Sequence, residues 1–440
     1  MSDQEFFLSD FISVKHGFAF KGDFITTEEN ENCLLTPGNF MIGGGFKSDK
    51  FKYFSGDIPQ DYILKEDDLI ITMTDLSKQG DTLGYSALVP SIYGKKMLHN
   101  QRIGLVEFKN NELDKHYLYF LLRSHEYRSY ILGCSTGSTV RHTSPSKIVS
   151  FKFVKPDLEI QKKIASKLLS LEKKIELNIQ INQTLEQIAQ VLFKSWFIDF
   201  DPVRAKVQAL SGGLSLEQAE LAAMQAISGK TPEELTALSQ TQPERYAELA
   251  ETAKAFPCEM VEVDGVEVPK GWTFQYLKDA CNIVYGKGLP KTKLTNTGYR
   301  VFGANGVIGY YSEFMYKNPQ ILIGCRGTVG QVTVSTPFSF ITNNSLIIEY
   351  ENSLINRYYL EHYLRTLNLK EISSGSVQPQ ITIQNMSGVK LLTPNRETLL
   401  LYEINVKDIY ETMYQNQIEN EKLTKVRDLL LPKLLNGEIE

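Results

Sequence analysis

The stretch LLSLEKKIELNIQINQTLEQIAQVL, residues 168–192, decides the fold of this 440-residue chain. Apolar residues or Asn recur along it at alternating steps of three and four, at Leu168, Leu171, Ile175, Asn178, Asn182, Leu185, Ala189 and Leu192. Such a heptad seam is typical of a long helix that packs along a second helix. The sequence therefore predicts a rod, and roughly 36 residues at a rise of 1.5 Å make it about 54 Å long.

The same seam returns 238 residues later, in residues 406–430, with the same phase. The repeat is longer than the helix, because a set of residues recurs at this spacing without a gap. Gly137, Ser138, Lys152, Pro156, Glu159, Asn178, Asn182, Leu185 and Leu192 recur as Gly375, Ser376, Lys390, Pro394, Glu397, Asn416, Asn420, Leu423 and Leu430. The chain is therefore predicted to contain two similar halves that are related by a pseudo-two-fold axis.

The two Asn residues in each seam predict how the helices pair. An amide in a helix seam costs stability unless it meets a polar partner, and its usual effect is to fix register and orientation. Both Asn pairs lie near the middle of their helices. We therefore expect an antiparallel coiled coil in which Asn178 faces Asn420 and Asn182 faces Asn416. The alternative is that these amides are merely solvated on a helix surface.

The segments outside the seams predict two α/β (α+β) domains. Short apolar runs such as LIITM at 69–73 and NSLIIEY at 344–350 alternate with Gly, Pro and Asn turns, and we expect one helix near His116. The predicted order is a first domain at 1–155, a first helical region at 156–200, a helical connector at 201–260, a second domain at 261–393 and a C-terminal helical region at 394–440. We expect two or three short helices in the connector, because Ser215 with Gln218 and Thr231 with Glu234 have capping-box spacing.

The two α/β domains share a frame but differ in their middles. LKD before Gly286 resembles LSD before Gly17, and YLEHYLR at 359–365 resembles YLYFLLR at 117–123, yet the intervening segments differ in length. Two similar scaffolds with dissimilar loops suggest that one geometry reads two different targets.

Composition and charge indicate a soluble globular protein. No apolar run approaches the length of a membrane span and the N-terminal residues lack a signal-peptide pattern, so we expect a cytoplasmic protein without a membrane partner. The five cysteines form no CxxC pair, which favours reduced thiols. The net charge is −5, and residues 261–398 are mildly basic with 13 Lys and Arg against 10 Asp and Glu. DNA binding through local patches stays possible, but charge alone does not establish it.

The sequence contains no motif of a catalyst. It has no phosphate-binding GxxxxGK[ST] loop, no adenine methyltransferase motif and no histidine spacing for a metal. Pro156-Asp157 followed by Glu172 and Lys174 fits a loose nuclease pattern, but the last two residues lie in the heptad helix, where they cannot converge on a metal. GANGVIG at 303–309 is expected to be a turn and not a nucleotide loop. We therefore expect a binding component with no catalytic residue and no metal ligand.

Several strings resemble the specificity subunit of type I restriction-modification enzymes, and the likeness covers essentially the whole chain. The strings are FKSWFIDFDPVRAK at 193–206, RDLLLPKLLNGEI at 427–439, VPKGW at 268–272, TGSTVRHTSPSKI at 136–148 and FGANGVIGY at 302–310. The resemblance implies two target-recognition domains that each read half of a split, asymmetric site in double-stranded DNA, and a helical rod that fixes the gap between the halves. B-form geometry then places the half-site centres about 34 Å apart.

The resemblance also implies partners and cofactors. Two methyltransferase subunits dock on the helical regions and restriction subunits join them, so S-adenosylmethionine, ATP and Mg belong to the partner subunits and this chain has no cofactor. Recognition of the DNA site directs adenine methylation or ATP-dependent cleavage by those partners. Arg427 stands where the first seam has Ala189, so we expect the two docking faces to differ.

DNA contacts require polar loop residues that donate to phosphates and base edges. The first domain offers Lys78, Gln79, Arg102, Arg141, His142 and Lys147. The second domain offers Lys287, Lys291, Lys293, Asn305, Arg326, Asn343, Asn344, Gln378 and Gln380. Any of these can instead be an ordinary solvated side chain, and Arg102 can be structural because it precedes an apolar strand.

Two other functions are compatible with the residues alone. A pseudo-symmetric adaptor could scaffold two protein partners without touching DNA. A self-sufficient restriction and methylation enzyme is the third possibility, and the missing catalytic motifs count against it.

Overall fold

The computed structural model describes residues 4–77, 79–137, 139–351, 353–375 and 378–438. Within this part of the chain the residues form two compact units, Met1–Ile179 with Gln417–Glu440 and Gln180–Asn416. Each unit contains one α/β domain and one half of each long helix. None of the described helices combines the length and the apolar character that crossing a bilayer requires.

The first α/β domain consists of short strands and three short helices. Its strands are β1 (Glu5–Phe7), β2 (Ile12–His16), β3 (Ile25–Thr26), β4 (Asn32–Leu34), β5 (Lys52–Phe54), β6 (Ile63–Leu64), β7 (Leu69–Thr72), β8 (Thr74–Asp75), β9 (Ser86–Leu88), β10 (Lys96–Leu98), β11 (Ile103–Phe108), β12 (Arg141–His142) and β13 (Lys152–Val154). Its helices are α1 (Lys115–Leu121), α2 (His125–Cys134) and α3 (Pro145–Val149). The helix expected near His116 is thus split in two, because the Ser124 side chain accepts a hydrogen bond from Tyr127 N and starts a new helix.

Strand order β2-β11-β7-β9 forms the antiparallel main sheet of this domain. A second sheet of order β3-β5-β4-β10-β6 packs beside it around Cys33, Phe40 and Met97. The core between the main sheet and the helices contains Leu69, Ile71 and Tyr117, and it continues onto Leu168 and Leu434 of the long helices. The domain is therefore built directly onto its half of the helix pair.

The long helix α4 (Leu158–Phe197) is followed by the connector. Phe200, in the left-handed region at φ 57°, ends the run, and Pro202 lies in the first turn of the next helix. The connector helices are α5 (Asp201–Ser211), α6 (Leu216–Ser228), α7 (Pro232–Thr241) and α8 (Pro243–Ala255). Both predicted capping boxes are present, but the expectation of two or three helices was wrong, because Pro243 starts a further helix right after α7.

The second α/β domain repeats the architecture of the first. Its strands are β14 (Met260–Val263), β15 (Val266–Pro269), β16 (Thr273–Tyr276), β17 (Asn282–Tyr285), β18 (Tyr299–Gly303), β19 (Gly306–Tyr311), β20 (Ile321–Gly324), β21 (Val332–Val334), β22 (Ser339–Ile341), β23 (Ser345–Glu349) and β24 (Lys390–Thr393). Its helices are α9 (Leu277–Ala280), α10 (Arg357–Thr366) and α11 (Ile383–Ser387), and the chain continues into α12 (Arg396–Leu435). Strand order β17-β23-β20-β21 corresponds to β2-β11-β7-β9, whereas the smaller sheet, of order β19-β18-β22, differs from its counterpart.

Within each unit the two long helices pack antiparallel. In the first unit Asn178 Nδ2 donates to Asn420 Oδ1 at 2.9 Å, and Asn420 Nδ2 donates to Ile175 O at 3.4 Å. In the second unit Asn416 Nδ2 donates to Asn182 Oδ1 at 2.8 Å, while Asn182 Nδ2 donates to Met413 O at 3.0 Å. The seam amides therefore bind each other and the backbone of the facing helix, which holds a single register.

Candidate nucleic-acid interface

A tight turn at residues 100–103 presents two side chains at one end of the main sheet in the first domain. Ile103 N donates to Asn100 O at 2.9 Å and closes the turn, and Gly17 N donates to Ile103 O at 3.2 Å. A Cβ on Gly17 would lie 2.0 Å from Asn100 O, so only glycine allows this approach. The turn exposes the two residues at its tip, Gln101 and Arg102.

The second domain builds the same turn from different residues. Ser345 N donates to Thr342 O at 3.1 Å, and Gly286 N donates to Ser345 O at 3.1 Å. A Cβ on Gly286 would lie 2.2 Å from Thr342 O. The exposed tip residues here are Asn343 and Asn344. Two equivalent turns thus present Gln-Arg in one domain and Asn-Asn in the other.

A short hairpin follows the domain helices and lies beside each turn. In the first domain Thr136 and His142 exchange backbone hydrogen bonds of 3.0 and 2.8 Å, and in the second Ser374 and Gln380 exchange bonds of 2.8 and 2.9 Å. Ser374 and Gln380 lie 238 residues after Thr136 and His142, so the repeat is present in the structure as well as in the sequence. The glycine after the first residue has φ +95° at Gly137 and +96° at Gly375, which explains why glycine recurs there.

Backbone hydrogen bonds join turn, hairpin and a third loop into one cluster in each domain. Met73 N donates to Arg102 O at 2.9 Å and Thr143 N donates to Met73 O at 3.0 Å. The same two links occur in the second domain, where Cys325 N donates to Asn344 O at 3.0 Å and Ile381 N donates to Cys325 O at 3.3 Å. The three loops of each domain therefore present one continuous surface.

The third loop differs in length between the domains, since it spans 73–84 in the first and 325–330 in the second. Asp75 organises the longer loop, because its carboxylate accepts from Ser77 N, Thr82 N and Thr82 Oγ1. Burial alone would raise the pKa of Asp75, but these hydrogen bonds outweigh it and hold the pKa below its ordinary value. Arg128 on α2 adds bonds to Gly80 O and Leu83 O. The loop is thus held by the body of the domain.

In the second domain the shorter loop leaves a cleft of about 1210 Å³. Its lining includes the polar side chains of Arg326, Gln331, Asn368, Lys370 and Gln380 beside apolar ones such as Leu367 and Leu369. The polar groups donate and accept hydrogen bonds in the way that phosphates and base edges require.

Most of the predicted DNA-binding residues lie on these loops. Those exposed on the loop clusters are Gln79, Arg102, His142, Arg326, Asn343, Asn344 and Gln378, while Arg141 and Gln380 are half-buried there. The other predicted residues of the second domain are exposed on different loops, and these are Lys287, Lys291, Lys293 and Asn305. Lys78 lies outside the described residues. Asn305 is at the tip of the β18–β19 hairpin, as expected for the GANGVIG turn.

Three of these side chains are bound within the protein. Lys147 Nζ donates to Cys134 O at 2.6 Å, at the end of α2. Arg141 Nη1 donates to Ser135 Oγ at 3.1 Å, and His142 Nδ1 lies 3.2 Å from Thr74 Oγ1. The guanidinium of Arg102 and that of Arg326, by contrast, have no hydrogen-bond or ion-pair partner among the described residues.

The loop clusters include residues that the sequence did not single out. Gln101 occupies the position of Asn343, 242 residues earlier, and it is exposed beside Arg102. The spacing of 242 that relates YLYFLLR to YLEHYLR would have identified it. Gln331 and Lys370 line the cleft of the second domain, and no sequence pattern marks them. In the described part of the chain no group of three His, Cys, Asp or Glu side chains could hold a metal ion.

Comparison with known proteins identifies the family. The model of the type I restriction modification DNA specificity domain matches residues 2–187 and 269–427, which together are more than half of the chain. The specificity subunit of the type I restriction enzyme HindI from Haemophilus influenzae is 44% identical in an alignment of 400 positions that covers 82% of this chain and 87% of that protein. The MjaIX specificity subunit from Methanocaldococcus jannaschii is 25% identical in an alignment of 346 positions that covers 73% of this chain and 68% of that one.

A solved structure supports the fold. The S subunit of a type I restriction-modification system from M. genitalium aligns with a TM-score of 0.55 at 17% identity, covering 98% of this chain and 95% of that chain. Fold, duplicated loop clusters and sequence similarity agree, and the chain belongs to the family of type I restriction-modification specificity subunits, whose role is DNA sequence recognition without catalysis of their own.

Proposed function

We propose that each α/β domain of this subunit, residues 1–155 and 261–393, reads one half of a bipartite, asymmetric DNA site. The observation that carries this proposal is the pair of equivalent loop clusters with different side chains. The turn tips carry Gln101 and Arg102 in one domain and Asn343 and Asn344 in the other. One backbone frame presented twice with different donors suits a site whose two halves differ in sequence.

The side chains suggest how the contacts are divided. Arginine pairs with guanine O6 and N7, whereas Asn and Gln pair with adenine N6 and N7. We assign base reading to Gln79, Arg102, His142, Asn305, Arg326, Asn343, Asn344, Gln378 and Gln380, with Lys78 as a further candidate. Lys287, Lys291 and Lys293 form an exposed cationic segment that suits phosphate contacts, and Arg141 and Lys147 support the first loop cluster through the bonds described above.

The helical regions, residues 156–200 and 394–440, are proposed to hold the partner subunits, two methyltransferase copies among them. Ile188 and Val191 on α4 are 49% and 68% exposed, and 238 residues later Val426 and Leu429 on α12 are 43% and 67% exposed. Exposed apolar pairs that recur at the repeat spacing suit two copies of one partner. Arg427 lies between the second pair, yet its guanidinium turns inward to Glu172 and Asp428.

Base recognition can be tested through the methylation pattern. The chain is expressed with its methyltransferase partner, and methylated adenines are mapped in the host genome. The wild type should yield a motif with two halves and a fixed gap. Asn343→Ala with Asn344→Ala should reduce base selectivity in one half of the motif only. Gln101→Ala with Arg102→Ala should reduce base selectivity in the other half only. In each case the selectivity should fall by about tenfold or more per lost base contact. Lys21→Ala is the matched surface control. A motif that either double variant leaves unchanged, or changes in both halves, contradicts the assignment.

Partner docking can be tested by the mass of the complex. Val191→Asp should remove one methyltransferase copy and Leu429→Asp the other, because a charge within an apolar contact loses the contact. The double variant should remove both. Leu177→Asp is the control, since Leu177 is 49% exposed on α4 but its repeat counterpart is Gln415. Light scattering that shows two copies on the double variant would refute this docking site.

A further inference from the structure

Glu172 on α4 is a mostly buried carboxylate that ties the first α/β domain to both long helices. Its Oε2 accepts a hydrogen bond from Tyr119 OH at 2.8 Å. Its Oε1 forms ion pairs with Nη1 of Arg123 at 2.7 Å and with Nη1 of Arg427 at 3.1 Å. The Arg123 side chain is 2% exposed and lies over the Tyr119 ring at 4.7 Å. We call these four residues, Tyr119, Arg123, Glu172 and Arg427, the first anchoring network.

The first anchoring network lies beside segments that support the first loop cluster. Arg123 Nε donates to Gly43 O at 2.8 Å, and the backbone of Tyr119 accepts from Ser86 Oγ at 2.7 Å. Five residues after Arg123, on α2, Arg128 holds the loop at 73–84. Helix α2 then ends at Cys134, just before the hairpin at 136–142. A rotation of the first α/β domain relative to the long helices at Glu172 would therefore move the whole loop cluster.

A different network occupies the same place in the second unit. Tyr410 OH lies 2.6 Å from His362 Nε2, and the Phe193 ring stacks on the imidazole with centroids 5.2 Å apart. Glu361 accepts from Arg365 Nη2 at 2.8 Å and is itself 3% exposed. Burial lowers the pKa of His362 to about 4, so the imidazole is neutral and shares a hydrogen bond with the Tyr410 hydroxyl. The His362–Tyr410 pair joins α10 to α12, and the Glu361–Arg365 pair lies beside it within α10. We call these four residues, Glu361, His362, Arg365 and Tyr410, the second anchoring network.

The repeat spacing relates three positions of the two networks, Tyr119 to Glu361, Arg123 to Arg365 and Glu172 to Tyr410, while the fourth member of each network has no polar counterpart. Tyr410 stands where the first unit has Glu172, and Ala189 stands where it has Arg427. At the helix spacing of 242, Glu361 and His362 replace Tyr119 and Phe120, while Arg365 replaces Arg123. The backbone frame is shared, but the polar chemistry is an ionic cluster in one unit and an imidazole-phenol pair in the other.

Buried polar networks between a domain and the long helices affect the orientation of the domain more than its stability. The surrounding contacts are apolar, for example Leu168 and Leu434 in the first unit and Trp196 and Tyr402 in the second, and apolar packing alone tolerates small rotations. Buried charges add little net stability, yet removing one partner leaves an uncompensated charge, which costs much more. Directional bonds of this kind select one orientation.

We propose that the two anchoring networks aim the recognition domains, and that their different chemistry matches each domain to its own half of the helix pair. Glu172 and Tyr410 are then positioning residues for half-site recognition although neither lies in a loop that faces DNA. This inference rests on the proposed function, because it takes the loop clusters as the reading surfaces.

The test measures selectivity on DNA. The full-length chain is purified with its methyltransferase partner and bound to duplexes that carry the mapped motif, the motif altered in one half, or a gap changed by one base pair. Tyr410→Phe should reduce discrimination in the second domain's half and against the wrong gap by about tenfold, the value of one lost hydrogen bond. Glu172→Gln should do the same for the first domain's half. Each variant should leave the other half read normally.

Tyr402→Phe is the matched control. Tyr402 is fully buried in the same seam, and its hydroxyl has no hydrogen-bond partner among the described residues, so its loss should not change selectivity. Arg427→Lys, which keeps the charge but shortens the reach, gives an independent reading of the first network and should shift selectivity in the same direction as Glu172→Gln. Thermal melts establish that each variant is folded.

The outcomes separate the two proposals. If the wild type selects no sequence, the proposed function itself fails. If the wild type selects its motif but Tyr410→Phe and Glu172→Gln discriminate as it does, or lose affinity equally for every duplex, the anchoring networks do not aim the domains.

Discussion

Asn178 donates a hydrogen bond through Nδ2 to Oδ1 of Asn420 at 2.9 Å, and the same Nδ2 lies 2.6 Å from Glu419 Oε2. Asn178 is fully buried, so its amide cannot exchange these acceptors for water at no cost. The amide thus closes the seam of the first unit at its polar layer. The bond joins residues that are 242 positions apart, and it forms only if the helices run antiparallel in this register.

Replacing Asn178 by Ala should lower the free energy of unfolding by about 1–3 kcal/mol, because Asn420 and Glu419 lose a buried donor. Chemical denaturation of the full chain measures this. Gln183→Ala on the exposed face of the same helix is the control and should cost at most about 0.5 kcal/mol. Equal effects of the two substitutions would show that the amide layer contributes nothing specific.

The hairpin glycines give a prediction that differs between the domains. A Cβ at Gly137 would lie 2.0 Å from Val140 O, whereas at Gly375 it would lie 3.0 Å from Gln378 O, and both glycines have positive φ. Gly137→Ala should therefore disrupt its hairpin more than Gly375→Ala does its own. We expect affinity to fall by tenfold or more for the first domain's half-site in Gly137→Ala, measured on duplexes altered in one half.

The control for the hairpin glycines is Gly133→Ala. Gly133 lies in α2 with no atom within 4 Å of the added Cβ, so this substitution should stabilise the helix by about 0.5–1 kcal/mol. Wild-type reading of the first half-site by Gly137→Ala would mean that the hairpin does not face DNA.

The sequence predicts those features of the fold and the candidate site that depend on residues close together in the chain. The heptad seam fixes long helices and their amide layer, because the pattern repeats every few residues, and the structure extends both helices to 40 residues. The glycine hairpins also follow from the repeat. The role of Lys147 does not, because its ammonium reaches Cys134 O only where α2 ends. A lysine that is bound within the domain and one that is free for DNA look the same in a sequence.

The anchoring networks were hidden for the same reason. Glu172 occupies a helix position where a carboxylate is usually solvated, and only the packing of α1 and α12 against α4 surrounds it with two guanidiniums. The sequence marks Arg427 only as a difference between the two docking faces, and that difference stays a prediction. The pairing of its guanidinium with Glu172 becomes visible only in the folded first unit.

Stability should fall with acidification because of buried histidine. His99 is fully buried, its Nε2 lies 2.9 Å from Ile103 O, and burial lowers its pKa from 6.5 to about 4. The folded-state pKa lies below the unfolded one, so the unfolded chain binds the proton more tightly. The stabilisation is complete above pH 6.5 and is lost as the pH falls towards 4. One such histidine should cost about 2 kcal/mol between pH 7 and pH 5.

Denaturation of the wild type and of His99→Phe at pH 7, 6 and 5 measures this loss. The variant should keep the part of the pH dependence that comes from His362 and lose the part that comes from His99, whatever its stability at pH 7. Parallel pH curves for the two proteins would show that His99 does not titrate on unfolding.

Four substitutions in the first unit should exchange the chemistry of its anchoring network for that of the second. Glu172→Tyr with Arg427→Ala gives the first unit the helix side of the second network, and Tyr119→Glu with Phe120→His gives it the domain side. Glu172→Tyr with Arg427→Ala alone leaves Arg123 buried without a carboxylate. Tyr119→Glu with Phe120→His alone places a second carboxylate next to Glu172. Each double variant should therefore be strongly destabilised. Together they recreate the contacts of Glu361, His362, Arg365 and Tyr410, and a favourable coupling of about 1–3 kcal/mol should appear in the free energy of unfolding. Reading of the first half-site should recover with it. If the changes in the free energy of unfolding of the two double variants are additive to within about 0.5 kcal/mol, the helix residues and the domain residues do not recognise each other. The domains would then be interchangeable between the two halves of the helix pair.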